Sequence, residues 1–216
     1  MGAMRITKLG HACVRVEHDG GVLVVDPGVF TDAAAALDGA GAVLLTHEHP
    51  DHYLAEHLRL SDAPVVTIKA VAARIREDAP DVAERLVVVA PGERFTAAGL
   101  PVRAVGERHA VIHPELPRID NSGYVVTCGD QRVYHPGDAL TPPGEPVDVL
   151  LCPVSAPWLK AAEAIDFARE VGAPRVLAIH DRVYSEAGLD IVDGHLRRFL
   201  EPAGSAYTRL PDGADL

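Results

Sequence analysis

The chain has 216 residues, 48% of them hydrophobic, 24% charged and 5% aromatic, the arithmetic of one soluble globular domain spanning residues 1–216. Folding at this length buries roughly 70% of the surface of the unfolded chain, so a core forms without help from disulfides. Thirty-one acidic residues against twenty basic ones leave a net charge of −11, which repels phosphate backbones and argues against nucleic acid as a partner.

In chain order, Met1, Gly2 and Ala3 precede a second methionine, Met4, and read as a cloning remnant; Met1 to Gly10 contains no apolar stretch of signal-peptide length. Arg5 to Leu9 and Cys13 to Val16 read as extended, and Asp19-Gly20-Gly21 as a hairpin turn into Val22 to Val25. A short helix follows at Ala33 to Leu37, then a buried strand at Ala42 to Leu45. Helices are expected at Tyr53 to Leu60 and Val71 to Arg76, with strands at Pro64 to Ile68 and Leu86 to Val89. The second half repeats that grammar, with extended runs at Leu100 to Val105, Tyr124 to Thr127 and Val133 to His135. Beyond a buried strand at Val149 to Cys152, the apolar spacing of Ala161, Ala164, Ile165, Ala168 and Val171 is that of a helix packed on a sheet. Val176 to Ile179 returns as a strand, Ile191 to Leu200 as a helix and Tyr207 to Leu210 as an edge strand, leaving a frayed tail over 211–216. No apolar run approaches the roughly 20 residues of a spanning helix. Three scattered cysteines, Cys13, Cys128 and Cys152, lack any C-x-x-C spacing and fit a reducing cytoplasm.

Directly after the buried strand stands His47-Glu48-His49-Pro50-Asp51-His52, four metal-ligating side chains within six positions. A strand end aims His47 and His49, and the turn that follows lets Asp51 and His52 address a second point, so one segment feeds two metals. Read alone, the remaining candidates are weaker. A Gly-Asp such as Gly137-Asp138 is more often a turn, and a strand-end histidine such as His180 is more often structural.

These residues resemble the metallo-β-lactamase superfamily, whose H-x-H-x-D-H motif is matched by His47, His49, Asp51 and His52. Gly10-His11-Ala12, Val25-Asp26-Pro27-Gly28, a loop histidine, Gly137-Asp138 and a late strand-end histidine follow in the family order. The resemblance implies a four-layer αββα sandwich of the α/β (α+β) class, closest to the small lactonase-like hydrolase branch. It implies His47, His49 and a loop histidine at a first metal, His109 being preferred to its rival His113 because it sits just past the extended run ending at Val105. Asp138 would bridge, and Asp51, His52 and His180 would complete a second metal.

Such a pair acidifies a water and stabilises the leaving oxygen, so hydrolysis of a small ester, lactone, amide or phosphodiester is expected, with Asp51 orienting the nucleophile and no Ser, Cys or Lys attack needed. Nitrogen and oxygen donors make zinc the first choice while tolerating manganese or iron. Asp26 reads as the cap of a strand-to-turn corner, with a hydrogen bond to a ligand as its alternative role, shared with His11. His18, His57 and His195 read as structural or solvated. After Cys152, Ser155, Trp158 and Lys160 are expected at the mouth of the site, and with His113 they would meet a small, anionic or amphipathic substrate. Ala156-Pro157-Trp158 departs from the lactonase-like pattern, which sets lactone hydrolysis in question. A nuclease of the same fold and a non-hydrolytic iron-binding redox protein are the competing readings. The oligomeric state stays open.

Overall fold

Alternation along the strands divides the apolar side chains between two environments. In β3 (Gly21–Val25) and β4 (Ala42–Leu45), Leu23, Val25 and Leu44 enter one buried cluster, while Val24, Val43 and Leu45 enter another. The structure, a computed structural model, describes residues 2–216, so Met1 of the expected remnant lies outside the described residues.

The first sheet runs in the order β1 (Arg5–Lys8), β2 (Val14–His18), β3, β4, β5 (Val65–Thr67), β6 (Leu86–Val88). The second runs β13 (Ala206–Thr208), β12 (Arg175–Ile179), β11 (Val149–Pro153), β10 (Gln131–His135), β9 (Gly123–Cys128), β8 (Leu100–Val105), β7 (Arg94–Ala97). Between the sheets lies a core that includes Ile6, Val16, Leu44, Val102, Tyr124, Leu151 and Leu177. Helices α1 (Ala33–Leu37), α2 (Ala55–Leu58) and α3 (Lys69–Asp78) cover the outer face of the first sheet through Leu37, Leu58 and Ile75. Helices α4 (Ala161–Val171) and α5 (Glu186–Leu200) cover the second through Phe167, Ala168 and Leu196. This is the four-layer αββα sandwich.

Pairing fixes strand direction: β1 and β3 each run antiparallel to β2, and β3 to β6 run parallel. In the second sheet β8 and β10 each run antiparallel to β9, and β10 to β13 run parallel. The carboxyl ends of these strands are where a doubly wound arrangement places its ligand groups.

The helix expected over Tyr53 to Leu60 shortens to α2 and the last strand shifts to Ala206–Thr208, and three further differences are larger. Helix α5 begins at Glu186, well before Ile191, because the Ser185 side chain accepts from the Gly188 amide and caps it. Strand β7 was not foreseen; its sequence, Arg-Phe-Thr-Ala, is half polar because it forms a sheet edge. The tail over 211–216 is not frayed. Lys8 donates its amide to the Ala214 carbonyl at 3.1 Å, Leu216 donates to the Ile6 carbonyl at 2.9 Å, and Leu216 packs on the inter-sheet core. The buried Lys8 ammonium lies 2.8 Å from Asp181 and 3.0 Å from Asp212, and Asp212 also pairs with Arg182. Deleting 211–216 is expected to lower stability by about 1–3 kcal/mol by stripping partners from buried polar groups, read as a lower urea midpoint; an unchanged midpoint would show the tail to be dispensable.

All three cysteines are free and buried. Burial pushes the Cys13 and Cys152 thiols up to about 12 and Cys128 to about 11, so thiolate is scarce at pH 8. A thiol reagent is therefore expected to label none of them quickly in the native state and all three in denaturant; one rapid native equivalent would contradict this packing. Among the described residues no helix is long and apolar enough to cross a membrane.

Candidate metal centre

The side chains that could hold a metal, with Asp26 behind them, sit just beyond strand ends on one edge of the sandwich. His11 follows β1, Asp26 ends the run of β3, and His47 to His52 follow β4. His109 follows β8, Asp138 follows β10 through Pro136-Gly137, and His180 follows β12. Two groups form, each with its ligand atoms within 4.8 Å of one another: His47, His49, His109 and Asp138, and His11, Asp51, His52 and His180.

Asp138 reaches both groups. One carboxylate oxygen is 3.3 Å from His109 Nε2 and 3.2 Å from His180 Nε2, and the other is 3.1 Å from His52 Nε2. Yet His52, His109 and His180 Nε2, together with Asp138 Oδ1, are buried and make no hydrogen bond. Close approach without hydrogen-bond alignment means these atoms face shared points rather than each other, and orphaned buried polar atoms of this kind call for an ion. Imidazole and carboxylate donors at such spacing fit divalent first-row cations.

The far side of each ring is anchored, which sets the tautomer. His52 Nδ1 donates to Asp26 at 2.8 Å, His109 Nδ1 to the Ala110 carbonyl at 2.6 Å, and His180 Nδ1 to the Ser155 carbonyl. The Thr46 hydroxyl donates to Asp26 at 2.6 Å, so it receives the Nδ1–H of His47 at 3.0 Å. In His47, His52, His109 and His180 the Nε2 lone pair is thereby left for the cluster. Asp26 is thus more than a corner cap: it orients His52 and also accepts the Thr46 amide at 2.8 Å. Asp26→Asn is expected to weaken metal affinity by about 10–100-fold, measured by competition with a chromogenic chelator; unchanged affinity would reduce Asp26 to a structural corner.

His11 requires a separate reading. The Arg182 amide donates to His11 Nδ1 at 3.1 Å, so the neutral ring carries its proton on Nε2 and donates it to Asp51 at 3.1 Å. Burial lowers the His11 imidazole to about 4 despite the pull of Asp51, which agrees with a neutral donor that positions Asp51.

Burial works against every charge in the cluster, and the neighbours decide the outcome. Burial drives His47 well below the usual histidine range, and His49 downward as well. Burial also opposes charge on His180 and His52, but Asp138 outweighs it, raising His180 to about 9 and, with Asp26, His52 well above its usual range. Asp138, which burial alone would lift, is held well below the carboxylate range by His52 and His180. A cation bound there would compete with protons for the same Nε2 atoms.

The backbone is bent to deliver these groups. His11, Asp26 and His180 have φ of 48°, 50° and 57°, a left-handed conformation that costs non-glycine residues of order 1–3 kcal/mol and collects at functional sites. Gly137 is needed because it has φ of 62° and a Cβ there would stand 2.3 Å from Asn121 Oδ1. Gly28 leaves room for the motif loop, since its Cβ would meet the Asp51 carbonyl at 2.1 Å.

His109 joins His47, His49 and Asp138, whereas His113 is exposed and outside both groups. His113 does border a small cavity with His49 and His109. Ser155, expected at the mouth, is fully buried behind His180, donating its hydroxyl to the His180 carbonyl at 2.6 Å. Trp158 is also turned inward, its Nε1 donating to Asp138 Oδ2 at 3.0 Å, and its ring lines a cavity with Arg108 and Arg118. Lys160 points into solvent, its side chain 81% exposed and paired with Glu163 at 3.1 Å, because it starts α4. Asn121, which no sequence motif marks, supports Asp138: its Oδ1 accepts the Asp138 amide at 3.0 Å and its Nδ2 donates to the Pro136 carbonyl. A lone asparagine before a strand carries no signal that would single it out.

The sequence profile of the β-lactamase superfamily domain matches residues 5–180. Protein Rv0786c of Mycobacterium tuberculosis is 40% identical over 215 residues, covering 97% of each chain. A UPF0173 metal-dependent hydrolase of Methanosphaerula palustris is 32% identical over 194 residues, covering 82% of this chain and 83% of its own. Among solved structures, the metallo-β-lactamase fold protein YhfI of Bacillus subtilis superposes with a TM-score of 0.76 at 17% identity, covering 99% and 98% of the two chains, a likeness of fold.

Proposed function

The chain belongs to the β-lactamase superfamily, and from that membership we propose that it is a metal-dependent hydrolase holding two divalent cations. His47, His49 and His109 would hold one, Asp51, His52 and His180 the other, and Asp138 would bridge them. The convergence of buried, unpartnered nitrogen and oxygen atoms from His52, His109, His180 and Asp138 carries this reading. Zinc is the first choice for such a donor set, with manganese or iron tolerated. Cations there supply an acidified water and a Lewis acid at the scissile carbonyl or phosphoryl group.

The protein's own residues supply orientation. Asp51 Oδ2, steadied by His11 at 3.1 Å, lies 3.3 Å from His180 Nε2 and is placed to orient the attacking water. Trp158 holds Asp138 in place, and Ser155 fixes the His180 ring. The substrate is a small ester, lactone, amide or phosphodiester. A nucleic acid is disfavoured by the charge of −11, and the buried free thiols support a reducing, cytoplasmic setting.

Zinc-reconstituted protein assayed against lactones, carboxylic esters, amides and phosphodiesters is expected to turn over at least one class, to lose that activity to a chelator and to regain it with zinc. Turnover that survives complete metal removal, or none across the panel, would overturn the proposal.

A further inference from the structure

Large apolar side chains left in water are informative when they gather at a site. Val111, Ile112 and Leu116, on the loop that begins at His109, are 52%, 41% and 54% exposed. They line the same concavity as His49 and His109. Across the cluster, Phe30 is 45% exposed, and its ring packs edge-on against His11 with centroids 5.1 Å apart, beside Asp51. The loop carrying Phe30 is tied to the motif by the Val29 amide, which donates to the Pro50 carbonyl at 2.9 Å. Exposed apolar side chains thus stand on two sides of the candidate metal centre, the first of them shared with Arg118 and His113. Lys160, the cation expected to greet an anion, faces solvent and is already paired.

We propose that the substrate carries an extended apolar acyl or alkyl chain beside its hydrolysable group, seated against Val111, Ile112 and Leu116 on one flank and Phe30 on the other. This rests on the hydrolase reading for the position of the reacting group. The chain itself is selected by the apolar flanks, which cost solubility in a free protein and regain it when covered. The concavity itself, about 30 Å³, admits no chain, but Val111, Ile112 and Leu116 at its exposed rim stand beside the imidazoles of His49 and His109, so a chain laid over them lies next to the reacting bond.

The test separates chain binding from turnover. Zinc-loaded protein is titrated calorimetrically with straight-chain carboxylates from acetate to decanoate, each below its micelle concentration. Affinity is expected to rise about two- to fourfold per added methylene until the flanks are covered, with an increasingly negative heat-capacity change. Leu116→Ser combined with Phe30→Ser, both at exposed positions, is expected to flatten that dependence. Ile191→Ser on α5, also an exposed apolar position, is expected to leave it intact. Affinity independent of chain length, or a dependence that survives in the Leu116→Ser, Phe30→Ser protein, would overturn the proposal. Chain-length dependence in a protein that turns over none of the lactones, esters, amides and phosphodiesters would support the apolar site and sink the hydrolase reading instead.

Discussion

Asp138→Ala is expected to abolish the paired centre and reduce hydrolysis on the order of 10²–10³-fold or more. Asp138 is buried and within 3.3 Å of the imidazoles of His52, His109 and His180. Removing one group that stabilises charge in a transition state costs about 2.7–4 kcal/mol, and each 1.36 kcal/mol is about tenfold in rate. The variant also frees Trp158 Nε1, which now donates to Asp138. Asp138→Asn, which keeps the volume and that hydrogen bond but not the charge, separates ligation from packing. Metal content and turnover measured on both variants decide the matter, because a structural role alone would let Asp138→Asn retain both.

Metal removal is the second large effect. A ligand bound only by the folded state at 1,000 times its dissociation constant stabilises by about 4.1 kcal/mol. For a chain of this size each kcal/mol moves Tm by roughly 2–4 °C, so excess zinc is expected to raise Tm by about 8–16 °C over chelator-treated protein. The sign follows from the site. The metal-free cluster keeps His52, His109 and His180 Nε2 and Asp138 Oδ1 buried without hydrogen bonds, and only the folded chain brings them together. Scanning calorimetry with and without chelator measures the shift. A Tm insensitive to zinc would mean the cluster binds no metal tightly.

What the sequence made legible was what is local. The run His47 to His52 could be read because its residues are contiguous and follow a strand whose burial its own composition announces. The stripe of α4 and the strands at Ala42–Leu45 and Leu100–Val105 were legible for the same reason. Other roles depend on contacts between distant segments, and there the reading thinned. Asp26 looked like a corner residue because its partner His52 lies on another loop. Ser155 and Lys160 looked alike as polar residues after a strand, yet one turns inward to His180 and the other outward with Glu163. No local pattern distinguishes those directions. The tail looked frayed because it is short and polar. Its order comes from β1, at the far end of the chain, and from the buried Lys8 that it helps neutralise.

His109 and His113 show the same boundary. Both are histidines of one loop, and placement just past a strand favours His109 over His113, which precedes Pro114, without separating them by any contact. The fold distinguishes them because the His109 amide donates to the Ile119 carbonyl at 3.1 Å and the Ala110 amide to the Asp138 carbonyl at 2.7 Å. That ties the start of the loop to the bridging residue and leaves His113 at its exposed turn.

Native mass spectrometry of the zinc-reconstituted protein bears most directly on the paired centre. Two zinc ions per chain are expected, with at most one retained in His109→Ala and both retained in His113→Ala. A wild-type chain that holds one ion or none under saturating zinc would contradict the account.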